Sequence, residues 1–249
     1  MTLILSLLLT AWPANDARLT TLELPEQPAR KVRLFIDAGH GAPGNTGNHG
    51  CACQLEQDHT LKVAQYLGFA LSALGRFEVK LSRQPGESPP YRPRIAAAEA
   101  FKADVIISLH SDARGDATFF SSDAGLCLRN PNEPGFSVLW SEEGPAFPKR
   151  EQLGRTIGAK LREAGFLAYS GLNYASLYKQ DEKEPSGWID QRPLKERVFI
   201  LRGSQIPTVI IETHHALDEH EVARWDELAT IDAFTFAIAS ALLEFSQAQ

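Results

Sequence analysis

Residues 31–56, KVRLFIDAGHGAPGNTGNHGCACQLE, decide how the rest of the chain is read. The run 32–37 is short, apolar and rich in branched residues, the pattern of a buried strand. It stops at Ala38-Gly39-His40-Gly41, and a turn rich in Gly, Asn and Pro separates it from Glu56, which opens a helical segment. His40 is therefore expected at the C-terminal end of a strand and Glu56 at the head of a helix, the edge where open α/β sheets gather ligands. An imidazole and a carboxylate delivered to one point are half of a zinc site. The competing reading is a His satisfying a turn beside a plain N-terminal helix carboxylate.

Two later stretches favour the site. Residues 104–110, DVIISLH, form another apolar run and end in His110; residues 207–212, PTVIIE, form a third and end in Glu212. A His buried at random should not keep landing at strand ends. Between these runs, 54–74 carries Leu61, Ala64, Leu67, Leu71 and Leu74 at helical spacing. Residues 78–82 alternate as a strand, 84–93 is a Pro-rich loop, and 94–102 is an Ala-rich helix. Strand, helix, strand, helix, strand argues for a largely parallel sheet. Further on, 136–140 reads as a strand after a loop containing Cys127, and 149–164 as an amphipathic helix through Leu153, Ile157 and Leu161. Residues 165–196 show little periodicity and place aromatic residues around a charge cluster at 179–184, the mark of a functional or mobile segment. Residues 198–201 and 208–211 read as the last strands and 227–245 as the closing helix. The expected fold is a single α/β domain, a twisted, mostly parallel sheet of about six strands with helices on both faces.

Length and charge bound the rest. The chain has 249 residues and a formal net charge of −6, enough for one sizeable domain and the wrong sign for a general nucleic-acid binder. Outside the first residues, no run reads as a stable membrane span. Residues 2–12, TLILSLLLTAW, followed by Pro13-Ala14-Asn15, read as the apolar part and small-residue end of a secretory signal. The expected organisation is a signal over 1–14, a linker over 15–30 and a catalytic domain over 31–249, exported to the periplasm or the cell wall.

At this point the chain resembles the zinc-dependent N-acetylmuramoyl-L-alanine amidases of the type-3 amidase family. The resemblance rests on Asp37-Ala38-Gly39-His40-Gly41, on Glu56 followed by Leu61, Val63 and Ala64, on Ser108-Leu109-His110, and on Leu201-Arg202 followed by Pro207 and Glu212. It implies one zinc ion held by His40, Glu56 and His110, Glu212 as the catalytic carboxylate, peptidoglycan as substrate and an activator protein as a further partner. A site with three protein ligands keeps a position open for water, and a separate carboxylate can move its proton. Asp37 and Arg94 are candidates for orienting the His40 region or holding a loop carboxylate. The chain departs from the family pattern at Ala42, where a second Gly is usual, at Asp112, where Asn is usual, at Glu99, and in Thr213-His214-His215 after Glu212. Asp112, His214 and His215 are therefore candidate substrate or supporting residues, with the two His read first as loop residues facing solvent. For an exported chain, a disulfide between Cys127 and either Cys51 or Cys53 is expected. The alternatives are a zinc peptidase or other amide hydrolase, a cell-wall binding protein without catalysis, and, more weakly, a thiol redox protein.

Overall fold

The computed structural model describes residues 19–26, 29–122, 125–143, 146–174 and 176–248; the signal-like segment 1–14 lies outside them. Seven strands form the main sheet in the order β2-β1-β3-β9-β6-β8-β7. Strands β1 (Val32–Ala38), β2 (Phe77–Leu81), β3 (Val105–Asp112) and β9 (Thr208–His215) run parallel. Strand β6 (Ser137–Ser141) is antiparallel to β9 and parallel to β8 (Gly187–Asp190), and β7 (Lys179–Gln180) is an antiparallel edge. The sheet is mixed and mostly parallel, as expected, with seven strands rather than about six.

Period-2 alternation divides the core between the two faces. Leu34, Ile36, Ile107, Val209 and Ile211 meet Val63, Leu67 and Leu71 of α1 (Glu56–Ala73), Leu153, Ile157 and Leu161 of α3 (Phe147–Glu163), and the apolar face of α6 (Leu228–Gln247). Phe35, Ile106 and Ile210 face the other way, onto Ile95 and Ala98 of α2 (Tyr91–Ala100) and onto Ile200 and Leu201 of α4 (Phe199–Gly203).

Three stretches differ from their sequence reading. Residues 198–201 were expected as a strand, but Phe199–Gly203 is the short helix α4. Both neighbour positions of β9 are taken by β3 and β6, so this run buries Ile200 and Leu201 on the sheet face instead. A four-residue apolar run has neither the length nor the period to separate the two states. Within 165–196, β8 is buried at all four positions, which removes the alternation that marks a half-exposed strand. The loop containing Cys127 is a hairpin, β4 (Thr118–Ser122) with β5 (Gly125–Arg129), outside the main sheet. The described part of the linker is docked: Leu22 and Leu24 pack on the core, and the Thr20 N–H donates to the Ala164 carbonyl at 3.0 Å.

Cys53 and Cys127 form a disulfide across 74 residues with their Cα atoms 5.2 Å apart, while Cys51 is a buried free thiol. The bond ties the turn leading to Glu56 to the β4–β5 hairpin. Peptide mapping without reduction should recover Cys53 linked to Cys127; three free thiols would refute the pairing. Replacing both by Ala should lower stability by about 2–4 kcal/mol in denaturant unfolding.

Candidate metal centre

The centre is built where β1 ends. His40 takes φ 58° and Gly41 φ 69°, so the chain reverses through two left-handed residues. Position 41 has no room for a side chain, since a Cβ there would lie 2.8 Å from Arg83 Cζ. Position 42 has no positive φ, which is why Ala42 is accepted. A left-handed His costs about 1–2 kcal/mol, and two buried arginines hold it. Arg94 Nη2 donates to the His40 carbonyl at 2.6 Å, and its Nη1 donates to Asp37 Oδ1 and to the Ala38 carbonyl, both at 3.0 Å. Arg83 donates to the carbonyls of Ala38, Gly39 and Gln57. Asp37 Oδ2 accepts from Ser108 Oγ at 2.7 Å, which joins β1 to β3. Asp37 and Arg94 are thus sealed beneath the turn and brace it.

Glu56 sits in the first turn of α1. The helix lacks a side-chain cap; instead its first N–H groups are satisfied by loop carbonyls, Glu56 N–H by Asn48 and Gln57 N–H by Thr46, each at 3.0 Å. Asn48 also grips the carboxylate, donating to Glu56 Oε2 from its backbone N–H at 3.0 Å and from Nδ2 at 2.9 Å. Ser111 N–H donates to Oε1 at 3.1 Å. Gly47 lies so close that a Cβ there would be 2.5 Å from Oε2.

His40 Nε2, His110 Nδ1 and Glu56 Oε1 converge. Each imidazole nitrogen is 3.0 Å from the carboxylate oxygen, and the two nitrogens are 3.1 Å apart. The tautomer of His40 follows from its other nitrogen. Asn45 Oδ1 accepts from Gly47 N–H at 3.1 Å, which identifies that atom as the amide oxygen, and His40 Nδ1 is 2.8 Å from it. Nδ1 therefore carries the proton, and neutral His40 turns a lone pair on Nε2 toward a carboxylate oxygen. Even with a proton on His110 Nδ1, one acceptor faces another, and a cation resolves that conflict. Burial opposes ionisation of Glu56, but the hydrogen bond from His110 and the adjacent His40 imidazole outweigh it and hold its carboxyl well below the usual range. The trio is the one group of three or more such side chains converging on a point among the described residues, and two imidazoles with one carboxylate suit a borderline-soft divalent ion.

Glu212 stands beside the trio. It pairs in register with His110 across β3 and β9, and its Oε2 is sealed from solvent with no partner among the described residues. Burial, then the charges of Asp112 and Glu56, push its carboxyl well above the usual carboxylate range. Asp112 follows a register shift after His110, and its Oδ2 accepts from Arg114 Nε at 3.0 Å and from the Tyr174 hydroxyl.

His214 and His215 continue β9 and are buried, a correction to their reading as solvent-facing loop residues. The reason is chemical. Thr213 Oγ1 donates to the His110 carbonyl at 2.9 Å and lies 2.9 Å from His214 Nδ1 and 3.2 Å from His59 Nε2. A hydroxyl that donates once can only accept from both rings, so the two imidazoles are satisfied in the interior. His214 also stacks on Trp225. His215 Nδ1 contacts the Asp112 carbonyl, and its backbone N–H donates to Glu221. Sequence reasoning missed Asn48, Arg83 and His59; the Asn-rich turn was a signal for the first, and nothing local marks the other two.

The profile of the family described as N-acetylmuramoyl-L-alanine amidase matches residues 34–244. Among curated proteins, the amidase AmiC of Escherichia coli is 30% identical over 84 residues, 34% of this chain, and the match spans only 20% of that relative. Among solved structures, the amidase Ami1 of Mycobacterium smegmatis superposes with a TM-score of 0.68 at 19% identity, covering 88% of this chain and 99% of the other. An amidase from Clostridium difficile 630 gives 0.67 at 18%, covering 89% and 100%. At these identities the superpositions speak for the fold.

Burial holds the imidazole of His59 down to about 4 and that of His214 well below its ordinary value. In the unfolded chain both titrate near ~6.5. Between about pH 4 and 6.5 the unfolded state therefore binds more protons, so stability should rise with pH through this window and be lost on acidification. Each histidine contributes up to about 1.4 kcal/mol per pH unit. Urea unfolding from pH 4 to 7 should show a shallower acid limb in His59→Gln than in the parent; equal slopes would place the titration elsewhere.

Proposed function

The chain belongs to the N-acetylmuramoyl-L-alanine amidase family, and from that premise we propose that it is a zinc-dependent hydrolase of the amide bond between N-acetylmuramic acid and L-alanine in peptidoglycan. The observation that carries the reading is the convergence of His40, Glu56 and His110 beside a carboxylate, Glu212, that is bound to none of them. Zinc, when bound, supplies a water acidified toward neutrality and a Lewis acid for the scissile carbonyl. The three ligands come from two strand ends and a helix start, and each is braced through atoms it does not offer to the ion.

Glu212 is the general base and then the general acid. Its register position puts it alongside His110, and its raised proton affinity suits a group that takes a proton from water and returns it to the departing nitrogen near neutral pH. Peptidoglycan lies outside the cytoplasmic membrane, so the reading goes with an extracytoplasmic site of action. The Cys53–Cys127 disulfide is in keeping with an oxidising compartment.

Glu212→Gln keeps shape and reach but cannot accept the water's proton. It should retain zinc by elemental mass spectrometry and lose roughly 10²–10⁴-fold in peptide release from purified peptidoglycan. His110→Ala should lose both metal and activity. Metal loss in Glu212→Gln would make Glu212 a ligand and sink the assignment; full activity with full metal would move the base elsewhere.

A further inference from the structure

Asp112 has two carboxylate oxygens in different situations. Oδ2 accepts from Arg114 Nε at 3.0 Å and from the Tyr174 hydroxyl. Oδ1 has no partner among the described residues, and the side chain is 24% exposed. The support behind Oδ2 is rigid. Arg114 is buried, donates to the carbonyls of Glu133 at 3.1 Å and Gly135 at 2.8 Å, and lies over the Tyr169 ring with Cζ 3.8 Å from its centroid. The Tyr174 hydroxyl also contacts Ser137 Oγ at 3.0 Å. Ser137 and His110 are the two register partners of Glu212. A fixed anionic acceptor therefore stands next to the general base, with one oxygen committed to the scaffold and one offered outward.

We infer that Asp112 binds the nitrogen of the leaving group: Oδ1 accepts from the N–H of the scissile amide and then holds the α-ammonium of the released peptide. The inference rests on the amidase reading, in which hydrolysis frees the α-amine of alanine. That amine has a solution pKa near ~8, so it is largely cationic at neutral pH and a charged acceptor suits it. Arg114 and Tyr174 are positioning residues that aim the carboxylate. Arg114 Nε is an obligate donor, so an amide at position 112 must turn its oxygen toward Arg114. Asp112→Asn would then present Nδ2, a donor, where the parent presents Oδ1, and the site would repel the group it had held.

Binding without turnover tests this. The zinc-loaded protein is titrated calorimetrically with two peptides of the stem sequence, one with a free N-terminal L-Ala amine and one N-acetylated. The parent should prefer the free amine by roughly 10–100-fold. Asp112→Asn, which is isosteric and should unfold within a few degrees of the parent, should lose that preference. Tyr174→Phe, which removes one donor to Oδ2, should weaken it partially. Equal affinity for the two peptides, no measurable binding of either by the parent, or a preference that survives Asp112→Asn each overturns the proposal. Failure of the amidase reading would appear separately, as no peptide release from purified peptidoglycan by the parent protein.

Discussion

The ion pair between Asp37 and Arg94 is sealed inside the protein, and the candidate metal centre hangs from it. A buried pair of this kind contributes little net stability, because desolvation of both charges offsets their attraction. Its effect here is geometric. The carboxylate bridges Arg94 to Ser108, and so β1 to β3, while the guanidinium ties together the carbonyls of Pro89, Ala38 and His40. Those carbonyls belong to the loop before α2 and to the left-handed turn bearing His40. Removing either partner would leave an uncompensated charge in the core and release the turn, so the pair fixes the His40 imidazole while holding only its backbone carbonyl.

The same division recurs around the site. Asn48 holds Glu56 by Oε2 and leaves Oε1 to face the histidines. Asn45 Oδ1 accepts from the N–H of His40 Nδ1 and leaves Nε2 with its lone pair. Thr213 accepts from two imidazoles and spends its one proton on the His110 carbonyl. In Glu56 and His40 one polar atom is committed to the scaffold and the other is left facing the centre, while Thr213 is committed to the scaffold entirely. That is how a site is held to the tolerance a reaction needs without blocking its open positions.

How much of this could be read from sequence follows from where each interaction is encoded. The site residues His40, His110 and Glu212 lie at the ends of apolar strands, so period and punctuation expose them. Glu56 is exposed by the helix it opens. The braces are not local. Arg83 reaches its carbonyls across a strand and a turn, and the role of Asn48 depends on a turn conformation that composition only hints at. Strand β8 and helix α4 escaped for a different reason: a fully buried four-residue strand has no alternation, and a run such as 198–201 fits either state until the sheet shows which edges are occupied.

The departure after Glu212 shows how a polar run can replace an apolar one inside a core. The resemblance leads one to expect small and apolar residues there, and Thr213-His214-His215 looks at first like the start of a solvated loop. Two imidazoles in an interior are tolerated only when their N–H groups are satisfied and they stay neutral. Thr213 provides the shared acceptor, and Trp225 provides a face for His214. His59, three residues along α1 from Glu56, provides the second ring, edge-on to His214 at 4.6 Å. The substitution is thus a matched set spread over a helix and a strand, in which no member is favourable alone. Because Thr213 also holds the His110 carbonyl, this set reaches the candidate metal centre from the side opposite Arg94, and the strand that carries His110 is fixed on both faces of the sheet.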